Sequence, residues 1–251
     1  MHIFIFSHLD DEFGIFYQIE ESIKSKKETY IIYVTTSSTT ENIDQIRLLE
    51  SIKSLKKLGV NENQLILLGN ELNVPDLKII DKVQEVYAYF KDFFEKRVNE
   101  VDTVFTHCYE GGHPDHDAVN LIIRKIKQKY RFNFKLLTFP LYHGKGLPWI
   151  FYKVMHPQNK SDNWMSLAIP FRQRFTYIKL LFNYKSQLKT LIGIAPFYIL
   201  KMVFTGKQYL KKEIDFSENM PYGGRMLYDK RGMESQIYFK ERVINKLSSF
   251  S

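Results

Sequence analysis

The sequence has very little cysteine and, over one long stretch, almost no acidic residues. Its single cysteine, Cys108, excludes a disulfide framework and any metal cluster that needs several thiolates. Between Leu121 and Lys212 there are eighteen Lys or Arg residues but one acid, Asp162. The rest of the chain carries an excess of acids, so the net charge of +8 is the sum of an acidic part and a strongly basic part.

Long apolar runs are also missing. No run reaches the ~20 positions that a membrane-spanning helix needs. The nearest, Leu191 to Phe204, is too short and contains Pro196 and Lys201. The apolar run of residues 1–6 meets Asp10 at once and lacks the flanks of a secretory signal. We therefore expect a folded protein of the cytoplasm.

Strand and helix patterns alternate through the first half of the chain. Continuous apolar runs predict strands, and amphipathic stretches predict the helices between them. The predicted strands are 2–6, 30–34, 64–68, 101–106 and 132–139. The predicted helices are 12–27, 43–58, 76–98 (with Asp76 as its cap) and 117–130. This alternation implies right-handed crossovers, so we expect a Rossmann-like α/β fold with an open, mostly parallel sheet and helices on both faces.

The alternation ends near Pro140. Residues 140–170 hold four prolines and predict irregular connections. Beyond them we predict helices over 171–191, 195–212 and 232–248, with a loop over 213–231. The part of the chain beyond Pro140 is therefore predicted to be a basic, mostly helical elaboration packed on the same domain.

Metal-type ligands concentrate in two segments, 7–12 and 107–116, and each directly follows a predicted strand. The carboxyl ends of parallel strands meet at one edge of a sheet, where ligand crevices form. Two histidines and a carboxylate would meet the needs of a catalytic zinc. The candidates are His8, His113 or His116 with Asp10 or Asp11. Either segment alone is more typical of a helix cap, so the prediction depends on both together.

The motifs His8-Leu9-Asp10-Asp11-Glu12 and Gly112-His113-Pro114-Asp115-His116 resemble those of the LmbE-like (PIG-L) zinc-dependent N-deacetylases. Further segments that resemble this family are 46–50, 58–60, 67–69 and 184–187. The resemblance covers residues 1 to 190, which predicts a deacetylase domain over 1–190 and a C-terminal helical elaboration over 191–251. One departure is Leu9, because the family usually has proline there.

The resemblance implies roles for seven residues. His8, Asp11 and His116 are implied as ligands of one zinc ion. Asp10 is implied as the general base, His113 as the residue that stabilises the tetrahedral intermediate, and Asp115 as the carboxylate that orients a histidine. Arg47 is implied in substrate binding. The implied function is zinc-dependent hydrolysis of the acetyl group from an N-acetylated amino sugar in a glycoconjugate.

Two other functions stay open: a non-catalytic, metal-containing sugar-binding protein, and a metal hydrolase of another amide or ester. Near the motifs, Cys108 is interpreted as a small buried filler. His107 is interpreted as a packing residue, with support of a metal ligand as the alternative. His2, His143 and His156 show no partner pattern.

The basic stretch 171–212 alternates Lys and Arg with aromatic residues. Three interpretations stay open: a solvated helical face over an aromatic core, a peripheral contact with the inner face of a membrane, and a nucleic-acid surface. No nucleic-acid motif accompanies the charge, so we expect no nucleic-acid partner. The expected partner is a small-molecule or lipid-linked amino sugar, anionic in either form.

Overall fold

A computed structural model describes residues 1–36, 41–148, 151–159 and 162–250, without the side chains of residues 41, 189 and 190. Its strands are β1 His2–Phe6, β2 Thr29–Tyr33, β3 Leu65–Leu67, β4 Thr103–His107, β5 Lys135–Phe139, β6 Tyr142–His143, β7 Lys153–Val154, β8 Trp164–Ala168 and β9 Lys207–Glu213. The longer helices are α1 Phe16–Lys24, α2 Glu41–Lys57, α3 Val83–Glu95, α4 Pro114–Tyr130, α5 Phe171–Leu181 and α6 Leu188–Phe204.

Seven strands form one sheet in the order β3-β2-β1-β4-β5-β9-β8, and β6 pairs with β7 separately. The first five strands of this order are parallel, whereas β9 is antiparallel to both β5 and β8. The predicted open α/β fold is therefore confirmed. The chain moves outward from β1 to β3 and then returns to place β4 on the other side of β1. This reversal of strand order makes the carboxyl ends of β1 and β4 the natural place for a ligand crevice.

The side chains of β1 explain why its sequence is apolar throughout. Ile3 and Ile5 belong to one buried cluster, while Phe4 and Phe6 belong to another. Successive side chains of a strand point to opposite faces, so a strand that is covered on both faces needs apolar residues at every position. Helices α3 and α4 contribute to the first cluster, and helices α1, α5 and α6 contribute to the second.

Part of the C-terminal prediction is wrong. Residues 195–212 do not form one helix, because α6 ends at Phe204 and Lys207–Glu213 forms β9. Burial of Gln208 and Leu210 shows the alternation of a strand, but β9 owes its place to pairing with β5, which local periodicity does not reveal. Trp164–Ala168, predicted as irregular, forms β8 at the sheet edge.

Helix α6 also begins earlier than predicted, at Leu188, so Pro196 lies in its interior instead of its first turn. The proposed domain boundary at residue 190 falls inside this helix, and the division itself stays a prediction. The last predicted helix, 232–248, forms over residues 236–248 as continuous short helical segments. None of the described helices combines the length and apolar character needed to cross a membrane.

Candidate active site

The carboxyl ends of β1 and β4 bring the two sequence motifs together. His8 and Asp11 follow β1 directly, and His116 lies in the first turn of α4. His113 is the residue that caps α4, since its Nδ1 accepts a hydrogen bond from Asp115 N at 3.2 Å. Pro114 occupies the first helical position, where its fixed φ and missing N–H carry no cost.

Two glycines let the second motif approach the sheet. Gly111 has a φ of +69°, a conformation that residues with a side chain rarely adopt. A Cβ atom on Gly112 would collide with the carbonyl oxygen of Tyr142. The loop between β4 and α4 therefore needs both glycines to hold His113 and His116 beside β1.

The three predicted metal ligands lie in mutual contact. His8 Nδ1 is 3.2 Å from His116 Nε2 and 3.3 Å from Asp11 Oδ2, and His116 Nε2 is 3.2 Å from Asp11 Oδ1. All three side chains are buried. Within the described residues, ligand atoms of His8, His113 and His116 also lie within 4.8 Å of one another, as do those of Asp11, His107 and His116. The donor set thus matches the histidine–carboxylate ligation of a divalent metal ion.

The charges around the cluster fit such an ion. Burial lowers the pKa of His116 to about 3, so its imidazole is neutral and keeps a lone pair for ligation. Burial also acts to lower the pKa of His8, but the charges of Asp76 and Asp11 outweigh it and raise that pKa well above the usual value. The carboxylates therefore favour positive charge at this point, which a divalent cation would supply.

Asp115 contacts one of the proposed ligands. Its Oδ2 lies 3.1 Å from His8 Nε2, on the side of the ring opposite His116. The same carboxylate accepts hydrogen bonds from Leu77 N at 2.7 Å and Ile79 N at 3.3 Å. Asp115 thus lies where it could orient His8, and it also anchors the segment after β3 to the site.

Asp10 has a strained backbone at the edge of the cluster. Its φ of 108° is unusual for a residue other than glycine and is tolerated best by asparagine and aspartate. Its backbone N–H donates to Glu12 Oε2 at 3.0 Å, and Tyr184 Oη donates to Glu12 Oε1 at 2.9 Å. Burial, together with the neighbouring charge of Asp11, raises the pKa of Asp10 well above its usual value. A carboxylate with a raised affinity for protons is suited to general-base work.

A cavity of about 580 Å³ opens over the cluster. Its polar wall includes Asp10, His113 and Tyr142, and two arginines, Arg47 and Arg231, also line it. Its apolar wall comes from the start of α6, with Leu191 and Ile194. The predicted substrate contact Arg47 thus lies in the same cavity as the predicted general base.

The structure also places residues in the site that the sequence analysis assigned elsewhere. Asp76 was predicted to cap a helix, but α3 begins at Val83, and Asp76 Oδ1 lies 3.0 Å from His8 Nε2 and 3.8 Å from His113 Nε2. A signal was available, because Asp76 follows the third predicted strand and so belongs at the same sheet edge. His107, predicted chiefly to pack, lies with Nε2 3.2 Å from Asp11 Oδ2.

Two further segments of the family resemblance meet each other. Ser186 donates to the carboxylate of Glu50 through its backbone N–H at 2.9 Å and its hydroxyl at 2.6 Å. Arg47 lies one turn before Glu50 in α2, and Gln187 lines the cavity. The contact therefore connects α2 to the turn that directly precedes α6, beside the cavity.

Residues 3–127 match the family model described as PIG-L, GlcNAc-PI de-N-acetylase. No curated protein sequence matches the chain. Among solved structures, a deacetylase of the teicoplanin biosynthesis pathway is similar, with 16% identity, a TM-score of 0.58, and coverage of 84% of this chain and 98% of the other. The zinc-inhibited form of teicoplanin deacetylase is also similar, with 14% identity, a TM-score of 0.57, and coverage of 84% of this chain and 98% of the other. A third similar structure is N,N'-diacetylchitobiose deacetylase from Pyrococcus horikoshii, with 15% identity, a TM-score of 0.57, and coverage of 84% of this chain and 83% of the other.

These neighbours share the fold, and the matched region contains both histidine–aspartate motifs. Sequence motifs, fold and family model therefore agree, and the chain belongs to the PIG-L (LmbE-like) family of deacetylases.

Proposed function

We propose that the protein is a zinc-dependent hydrolase that removes the acetyl group from an N-acetylated amino sugar of a glycoconjugate and releases acetate. One observation carries the proposal: the buried cluster of His8, Asp11 and His116 opens into a cavity that Asp10 and His113 also line. Support for the reaction class comes from two neighbours that are named deacetylases of teicoplanin biosynthesis and of N,N'-diacetylchitobiose. The choice of zinc rests on the histidine–carboxylate donor set, and the zinc-inhibited form of one neighbour is consistent with zinc binding in this fold.

His8, Asp11 and His116 would hold the zinc ion. When bound, zinc supplies Lewis acidity that polarises the amide carbonyl and lowers the pKa of water. Asp10 takes a proton from the attacking water and returns it to the departing amine. These two proton transfers need the raised proton affinity that burial gives Asp10.

His113 stabilises the developing oxyanion as a hydrogen-bond donor. Burial lowers its pKa to about 3, so its ring is neutral. Because its Nδ1 accepts from Asp115 N, the ring hydrogen belongs on Nε2. His113 therefore presents an N–H group in the cavity without needing to be protonated.

The two arginines of the cavity favour a substrate with an anionic group. Arg47 and Arg231 come from different parts of the chain, yet both line the cavity. A guanidinium binds phosphate or carboxylate through paired hydrogen bonds. We propose that the substrate is an amino sugar joined to a phosphate or carboxylate group, and that the enzyme acts on it in the cytoplasm.

Acetate release tests the function. Zinc-loaded protein is incubated with soluble N-acetylglucosaminyl compounds that carry neutral or anionic aglycones, with and without a chelator. We expect release that the chelator abolishes and that is fastest with anionic compounds. Metal-dependent sugar binding without acetate release would contradict the proposal and favour a binding protein.

A further inference from the structure

Helix α6 has an unusual exposed face. The exposed residues among its described side chains are all apolar, and six of them form what we call the α6 stripe: Leu188, Ile192, Pro196, Leu200, Val203 and Phe204. Ile192 is 70% exposed and Phe204 is 77% exposed. A helix on the surface of a globular protein normally turns its polar residues outward.

The one charged side chain that the structure describes in α6 points the other way. Lys201 is only 4% exposed, and its Nζ has no hydrogen-bond acceptor within the described part of the chain. Nζ lies 4.6 Å from the centre of the Tyr209 ring, which offers it a cation–π contact. Among its described side chains, the helix therefore buries a charge, that of Lys201, and exposes apolar residues, as expected of a helix whose outer neighbour is not water.

Charged residues in the stretch of sequence that holds the stripe are of one sign, and the Glu50 carboxylate of α2 lies beside Ser186, at its start. Residues 163–212 contain nine Lys or Arg and no Asp or Glu. Lys185 precedes the stripe, Lys207 follows it, and Arg172 and Lys179 lie on α5, which packs against α6; all four are exposed. Helix α5 also exposes Phe171 and Phe175. Apolar side chains bordered by unopposed cations are typical of a surface that binds an anionic lipid bilayer.

We propose that the α6 stripe docks on an anionic membrane surface. Peripheral membrane contact was one of three open interpretations of the whole basic stretch 171–212, and our proposal limits the docking unit to the outer face of α6 and its flanking cations. Lys211 pairs with Asp162, 3.0 Å away, and Lys201 is buried, so neither is available to lipid.

Docking through α6 would bring the active-site cavity to the bilayer. Leu191 and Ile194 of the same helix form the apolar wall of that cavity. A second, apolar groove of about 490 Å³ runs beside Phe197 and Leu200, and Tyr152 lines both spaces. The docking surface does not depend on the proposed function, whereas delivery of a lipid-linked amino sugar along this route does.

Vesicle co-sedimentation tests the docking. The full-length, zinc-loaded protein is mixed, at physiological ionic strength, with vesicles of phosphatidylglycerol and phosphatidylcholine in equal amounts, or of phosphatidylcholine alone. We expect binding to the anionic vesicles that weakens as salt rises. Ile192→Gln removes one inserted isoleucine and should lower the partition coefficient about tenfold or more.

Ile237→Gln is the matched control, since Ile237 is 69% exposed but lies outside α6. Equal losses in both variants, equal binding to the two vesicle types, or no binding to anionic vesicles would overturn the proposal. The proposal would also be overturned if the wild-type protein sedimented as a dimer without lipid and Ile192→Gln converted that dimer to a monomer. Acetate release from a soluble substrate should be unchanged in Ile192→Gln, so a failure of docking and a failure of the catalytic proposal are distinguishable.

Discussion

Replacement of Asp10 by asparagine isolates the proposed general base. Asn is the right replacement because the φ of 108° at this position suits Asn nearly as well as Asp. Alanine would add ~1–2 kcal/mol of backbone strain and confuse a catalytic loss with a folding loss. The backbone hydrogen bond from residue 10 to Glu12 does not involve the replaced side chain and should persist.

The size of the expected loss follows from the role. A positioned general base typically contributes 10²- to 10⁴-fold, so the barrier should rise by ~3–5 kcal/mol in Asp10→Asn. Because His8, Asp11 and His116 are untouched, bound zinc should stay near one equivalent per chain. The free energy of unfolding should change by ~1 kcal/mol or less, since neither backbone strain nor packing changes much.

Three measurements on one preparation test this reasoning: the rate of acetate release, the metal content after dialysis, and the midpoint of thermal unfolding. Asp92→Asn, on the exposed face of α3, is the control and should match wild type in all three. A near wild-type rate in Asp10→Asn would refute the assignment of the base. Loss of both rate and zinc would instead show that Asp10 acts in metal binding.

Further outcomes concern substrate charge, metal and pH. Arg231→Gln should raise KM for anionic substrates about tenfold while kcat changes little, because Arg231 lines the cavity beside Tyr152 and has no part in the proposed metal site or proton transfers. Steady-state kinetics that showed the reverse split would contradict this. Removal of the metal by a chelator should lower the unfolding midpoint as well as the rate, since an ion that binds only the folded state stabilises it; an unchanged midpoint would count against the His8, Asp11 and His116 site. Burial raises the pKa of Glu110 to about 8 in the folded protein, against 4.5 in the unfolded chain. The stability that the neutral Glu110 carboxyl contributes is therefore fully present below pH 4.5 and is lost as the pH rises toward 8. Glu110→Gln should keep the bonds that Leu141 N and Tyr142 N donate and should flatten the dependence of thermal stability on pH in that window; an unchanged pH profile would contradict the shift.

The parallel half of the fold could be predicted because each of its strands carries its own local signal. Continuous apolar runs mark strands buried on both faces, and the two motifs follow such runs directly. Strand β9 gives no comparable signal, since its place in the sheet depends on pairing with β5, from Leu136 with Glu213 to Thr138 with Lys211. Its sequence, with three lysines in seven residues, hides the alternation of Gln208 and Leu210.

The residues of the candidate site also differ in whether a local sequence signal could predict them. His8, Asp11 and His116 were predictable because they stand in compact motifs at strand ends. Asp76 lies in a long connection where an aspartate more often caps a helix. Arg231 reaches the cavity from a segment predicted as a loop, so its role depends on tertiary packing alone. The assignment of catalytic roles to these residues stays a prediction until the variants are measured.

The reversal of strand order at β1 has a consequence for biosynthesis. A nascent chain that ends after β3 already contains His8 and Asp11, but it lacks β4 and the helix that carries His116. The donor set closes only when β4 pairs with β1, a contact between residues about a hundred positions apart. Such long-range pairing forms late and pays a large loop-closure entropy. Metal loading is therefore coupled to completion of the central sheet, and a ribosome-bound chain that ends before residue 116 should be unable to retain the ion.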